Sequence, residues 1–126
     1  MKGPAPRGPI LVVEDDRAIR ETLSDILAGE GYAVETISNG LLALQRLRAG
    51  PTPALLIVDL VMPVFSGWDL CRELGRDPRW AALPVVIVSA DEVDGPLPLS
   101  QTQVLAKPIH FDQLLAAVER FCGKRA

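Results

Sequence analysis

The feature that most constrains this chain is the run Leu55-Leu56-Ile57-Val58-Asp59-Leu60-Val61-Met62-Pro63, apolar throughout except for one carboxylate. An apolar stretch this short, bounded by breakers, fits a strand of a parallel sheet covered on both faces. Pro53 before it and Pro63 after it set its limits. Such a strand delivers Asp59 to the carboxyl edge of the sheet, where open α/β folds bind their ligands. Alone, an Asp in that place serves as a turn residue about as often as a site residue. Its company decides between the two.

The first nine residues, rich in Pro and Gly, read as a loose arm, 1–9, and Ile10-Leu11-Val12-Val13 as a second buried strand that ends in acid, Glu14-Asp15-Asp16. Ile19, Leu23, Ile26 and Leu27 then fall at helical spacing, so a helix runs from about Arg17 to Ala28, with Asp16 as its cap and Gly29 and Gly31 as its stop. Residues 32–37 contain β-formers, Ser38-Asn39-Gly40 is a turn, and Leu41, Leu44 and Leu47 mark a second helix closed by Gly50-Pro51. Beyond the Asp59 strand, Ser66 is a helix cap, and Leu70, Cys71 and Leu74 carry a short third helix. Pro84 to Val88 is a fourth strand ending on Ser89-Ala90, and Gln103 to Ala106 a weaker fifth ending on Lys107-Pro108. The helix from His110 to Phe121 completes the body, and Gly123 opens a short basic tail, 123–126. Strands alternating with helices predict an α/β, doubly wound, five-stranded parallel sheet with helices on both faces.

Composition narrows the function. One domain of 126 residues with 48% hydrophobic content has ample core, and a net charge of -3 with no basic cluster in its body argues against direct nucleic-acid binding. No apolar stretch reaches membrane-spanning length and the start lacks a secretion signal, which predicts a cytoplasmic protein that does not enter a membrane. Cys71 and Cys122 have no metal or redox spacing and are expected to be free thiols.

Four strand ends carry polar groups toward one crevice: Glu14-Asp15, Asp59, Ser89 and Lys107. Three converging carboxylates repel one another, raise some of their own pKa values and call for a cation. Hard oxygen donors without His or Cys favour Mg²⁺ over Zn²⁺. Three carboxylates, Mg²⁺ and Lys107 then sum to zero, and a phosphoryl group becomes the natural guest, open to in-line attack by a carboxylate.

Leu11-Val12-Val13-Glu14-Asp15-Asp16, Asp59-Leu60-Val61-Met62-Pro63 with Gly67 beyond it, Val88-Ser89-Ala90 and Lys107-Pro108 together resemble the receiver domain of bacterial two-component response regulators, over residues 10–122. The resemblance implies a flavodoxin-like sheet of order 2-1-3-4-5. It makes Asp59 the phosphoacceptor that takes phosphate from a histidine kinase or phosphotransfer protein. It also implies Mg²⁺ held by Asp15, by Glu14 mainly through water, by Asp59 and by the backbone carbonyl of Val61, with Lys107 and the Ser89 hydroxyl on phosphoryl oxygens. A cis Lys107-Pro108 bond belongs to the same pattern. The output is a protein contact with a downstream target, and the sequence leaves the oligomeric state open.

Two departures stand out. Gly95, Pro96 and Pro98 forbid a regular helix over 91–102, so the family's fourth helix is expected to be shortened or absent. Val104, three before Lys107, replaces the aromatic residue that often switches there, leaving coupling to Ser89, its loop and the last strand. Apolar Val61 is expected to lengthen the phosphoryl state, with Asp91 adding negative charge nearby. Trp68 and Trp80 are expected to cover the sheet, and His110 to be a cap or surface residue and not a phosphodonor. The competing classes are a phosphatase of the aspartyl-phosphate type, which would want an acid where Val61 stands, and a docking domain that is not phosphorylated.

Overall fold

Alternation of side chains along short β-branched runs determines how this molecule divides into two layers. The structure, a computed structural model, describes residues 8–90, 93, 99 and 101–123. Its strands are β1 (Ile10–Val13), β2 (Val34–Ile37), β3 (Leu55–Asp59), β4 (Val85–Ser89) and β5 (Thr102–Ala106). They form one sheet of order β2-β1-β3-β4-β5 in which every neighbouring pair is parallel. The helices are α1 (Arg17–Gly29), α2 (Gly40–Ala49), α3 (Gly67–Gly75) and α4 (Phe111–Cys122), with a 3₁₀ turn over Pro78–Trp80.

Ile10, Val12, Leu55, Ile57, Val86 and Val88 face one side, where Leu23, Leu27, Leu114 and Val118 of α1 and α4 cover them. Leu11, Val13, Leu56, Val58, Val85 and Ile87 face the other, against Leu44 and Leu47 of α2, Leu70 and Leu74 of α3, and Trp80. The three central strands are buried on both faces, which is why their sequences are apolar without alternation. Trp80 is fully buried and Trp68 packs on the margin of the same layer, so both cover the sheet as expected.

Local chemistry sets the helix starts. The Asp16 and Asn39 side chains accept from the amides of Ile19 and Leu42, at 3.1 and 2.8 Å, and Ser66 with Asp69 forms a reciprocal capping box at α3. His110 occupies the N-cap position of α4, but its ring makes no capping bond. Gly31 takes φ 93° just past α1, a left-handed turn that suits glycine. β2 is shorter than the predicted 32–37: Tyr32 is buried against the α1 and α4 layer, and its hydroxyl donates to the Gly123 carbonyl at 2.9 Å. Cys71 is a free thiol, and both cysteines are buried.

Among the described residues no helix separates β4 from β5, and the segment 91–102 on which the expected loss of the fourth helix falls lies mostly outside them. Within that connection Leu99 is buried, while the expected extended course of 91–102 lies mostly outside the described residues, as do 1–7 of the arm and 124–126 of the tail.

Candidate functional site

Asp59 continues the Leu55-Ile57 row that faces α1 and α4, so the strand that buries those side chains also buries this carboxylate, which is 5% exposed. Its Oδ1 accepts from the Val61 amide at 3.0 Å and its Oδ2 from the Lys107 ammonium at 2.8 Å. Lys107 reaches it from the end of β5, fixed there by its own amide, which donates to the Ser89 carbonyl at 2.8 Å; its bond to Pro108 is cis. Behind Asp59, Gly67 presses on the backbone: a Cβ there would collide with the Asp59 carbonyl.

The acid turn after β1 is held at several points. The Glu14 amide donates to the Ile37 carbonyl at 3.1 Å, and its carboxylate accepts from the Asp16 amide at 3.1 Å. Carboxylate oxygens of Glu14, Asp15 and Asp59 lie within 4.8 Å of one another. Glu14 is 3% exposed and Asp15 is exposed. Burial pushes the Glu14 carboxyl from its ordinary 4.5 up to about 7. The Asp16 amide pulls it back down, whereas the Asp59 charge and a hydrogen bond with Asp15 push it further up. Burial works against the Lys107 ammonium too, yet its hydrogen bond to Asp59 and the charges of Asp59, Glu14 and Asp15 outweigh that and hold its pKa above the ordinary value.

The six residues singled out from the sequence fall as follows. Glu14, Asp15, Asp59 and Lys107 come together. Ser89 is buried at the end of β4, next to Val88, the β4 partner of Asp59. The Val61 amide meets Asp59, while its side chain is 68% exposed. Arg20 was not foreseen: its Nη1 donates to the Glu14 carbonyl at 2.9 Å and to the Asp15 carbonyl at 3.4 Å. The available signal was a cation near the start of a helix, against the macrodipole.

Such a crevice has the charge and the hard donors for a divalent cation and a phosphoryl group. Over residues 10–119 the sequence matches the family described as the response regulator receiver domain. The chain belongs to that family. It is a two-component signalling domain, and membership decides for a receiver over the aspartyl-phosphate phosphatase. A receiver domain implies a histidine kinase as partner. The response regulator MprA of Mycobacterium ulcerans is 37% identical over an alignment of 115 residues that covers 85% of this chain and 47% of that protein. This receiver domain thus spans about half the length of the curated relatives it matches. The receiver domain of a signal transduction histidine kinase from Syntrophus aciditrophicus is 30% identical, with a TM-score of 0.79 over 92% of this chain and 90% of that one. That of sensor histidine kinase PA1611 from Pseudomonas aeruginosa PAO1, which has a magnesium ion coordinated in its active-site cleft, shares the fold at 20% identity, TM-score 0.77, over 94% of this chain and all of that one. Among the described residues no helix is long and apolar enough to cross a membrane.

Proposed function

We propose that Asp59 is the phosphoacceptor of this receiver domain, taking its phosphoryl group from a phosphohistidine on a histidine kinase or phosphotransfer protein. The observation that carries the reading is the pair of Lys107 and Asp59, Nζ to Oδ2 2.8 Å, beside two further carboxylates. A carboxylate oxygen of Asp59 attacks phosphorus as the P–N bond breaks. The bonding pair leaves with the imidazole, and an acyl phosphate remains. Lys107 moves its hydrogen bond from the carboxylate to a phosphoryl oxygen, and the Ser89 hydroxyl serves another. The Val61 amide keeps the carboxylate oriented from the start.

The donor set fits Mg²⁺: three carboxyl groups, with a combined charge of -3 once all are ionised, face one ammonium, with no His or Cys in the cluster. Glu14, Asp15, Asp59 and the Val61 carbonyl would hold it. When bound, the ion supplies positive charge that offsets the carboxylates and the phosphoryl oxygens.

A groove of about 330 Å³ between α1 and the start of α4, lined by Ile19, Leu23, Pro108, Ile109 and Phe111, opens beside Lys107. It offers the incoming protein an apolar seat on the side of Lys107, the partner of Asp59. Residues 10–122 are read as the receiver unit between an arm, 1–9, and a tail, 123–126. A cytoplasmic location and a downstream protein target go with this reading.

Incubation with Mg²⁺ and acetyl phosphate, followed by intact-mass measurement, tests it. The expected result is one phosphoryl adduct that Asp59→Asn abolishes. Turnover of acetyl phosphate without an adduct, or an undiminished adduct on Asp59→Asn, would overturn it.

A further inference from the structure

The acid turn after β1 has a side-chain clamp that the proposed chemistry does not use. Past Val13 the β1 ladder has ended, so the carbonyls of Glu14 and Asp15 need partners outside the sheet. Arg20, one turn into α1, supplies one for both through a single Nη1, at 2.9 and 3.4 Å. A cation in that place runs against the helix dipole, which makes a surface-charge role a poor explanation for it. Its hydrogen bonds go to the backbone of the two acids and not to their carboxylates. With the Glu14 amide on Ile37 and its carboxylate on the Asp16 amide, the Arg20 bond is the third restraint on one residue, and it also holds Asp15, whose side chain is exposed.

We propose that Arg20 is a positioning residue for the divalent-cation site, fixing the backbone of Glu14 and Asp15 so that both carboxylates face Asp59. The inference rests on the reading of that cluster as a Mg²⁺ site. A guanidinium acting by charge alone repels a cation, so its removal would tighten binding; acting by position, its removal weakens binding. The two roles therefore differ in sign. Lysine separates them further, because it keeps the charge and loses the planar donor geometry.

The test is Mg²⁺ titration by calorimetry of wild type, Arg20→Ala, Arg20→Lys and Asp15→Asn, with hydrogen exchange of residues 14–16 in EDTA as a metal-free readout. The expected outcome is roughly tenfold weaker Mg²⁺ binding in Arg20→Ala, the scale typical of losing an outer partner of a metal ligand, and partial recovery in Arg20→Lys. Exchange at 14–16 should quicken in Arg20→Ala while the β3 amides stay protected. Wild-type binding with Arg20→Ala equal or tighter overturns the inference alone. Wild type that fails to bind, or binds equally after Asp15→Asn, overturns the site reading and this inference with it.

Discussion

Glu14 is a carboxyl that burial keeps protonated well above the ordinary range. Its carboxyl titrates near 7 in the folded chain against an ordinary 4.5, so between those values the native state keeps a proton that the unfolded state has lost. Its contribution is fully present below the lower value and is lost as pH rises through the higher one. In EDTA, urea stability should therefore fall by on the order of 2 kcal/mol between about pH 5 and pH 8, and Glu14→Gln should flatten the profile. A flat wild-type curve would contradict this. Val61, two residues past the proposed phosphoacceptor Asp59, presents an exposed apolar side chain that cannot orient an attacking water. Val61→Asn is expected to shorten the acyl-phosphate lifetime by about tenfold, read as decay of the intact-mass adduct, and an unchanged decay would refute it. The companion residue in that expectation, Asp91, lies outside the described residues.

The connection between β3 and α3 is an element with two opposed kinds of tightness. Val64, β-branched and 95% exposed, has φ 70°, and the Phe65 amide bonds back to the Pro63 carbonyl at 2.8 Å, the pattern of a strained γ-turn. Val64→Gly should raise urea stability by about 1 kcal/mol, because glycine takes this backbone without steric conflict. Gly67→Ala should do the reverse, by about 2 kcal/mol, and should lower adduct formation, since the new methyl displaces the backbone of Asp59. If both variants melt like wild type, the loop does not hold Asp59 as described. The sequence announces the ends of this element, Asp59 and the Ser66 cap, because apolar runs and capping residues act locally. It is silent on Val64, whose strain is imposed by closing the loop, and for Arg20 it offers only a cation set against the helix dipole, because that residue's partners lie off its own helix. The upward push of burial on Glu14 is also hidden, because it depends on long-range packing, as does the lysine 48 residues away that meets Asp59.

At the scale of the whole molecule, fold and cation are linked. A ligand that binds the native state alone stabilises it, and Mg²⁺ at a hundred times its Kd would add about 2.7 kcal/mol, on the order of 10 °C in Tm for a domain of this size. Adding EDTA should remove that increment, and Asp15→Asn should show little of it by calorimetric scanning. The strand order itself was legible because alternating strands and helices leave few topologies, and family resemblance selects among them. One consequence of that order concerns the life of the chain in a cell. The pair that defines the site bridges β3 and β5 across β4, and the acids arrive from β1. No local fragment contains the set, so a copy caught midway through folding or partly melted lacks the proposed phosphoacceptor site. On the proposed function, only finished molecules can take up the signal, and damaged ones drop out of the circuit without sending a false message.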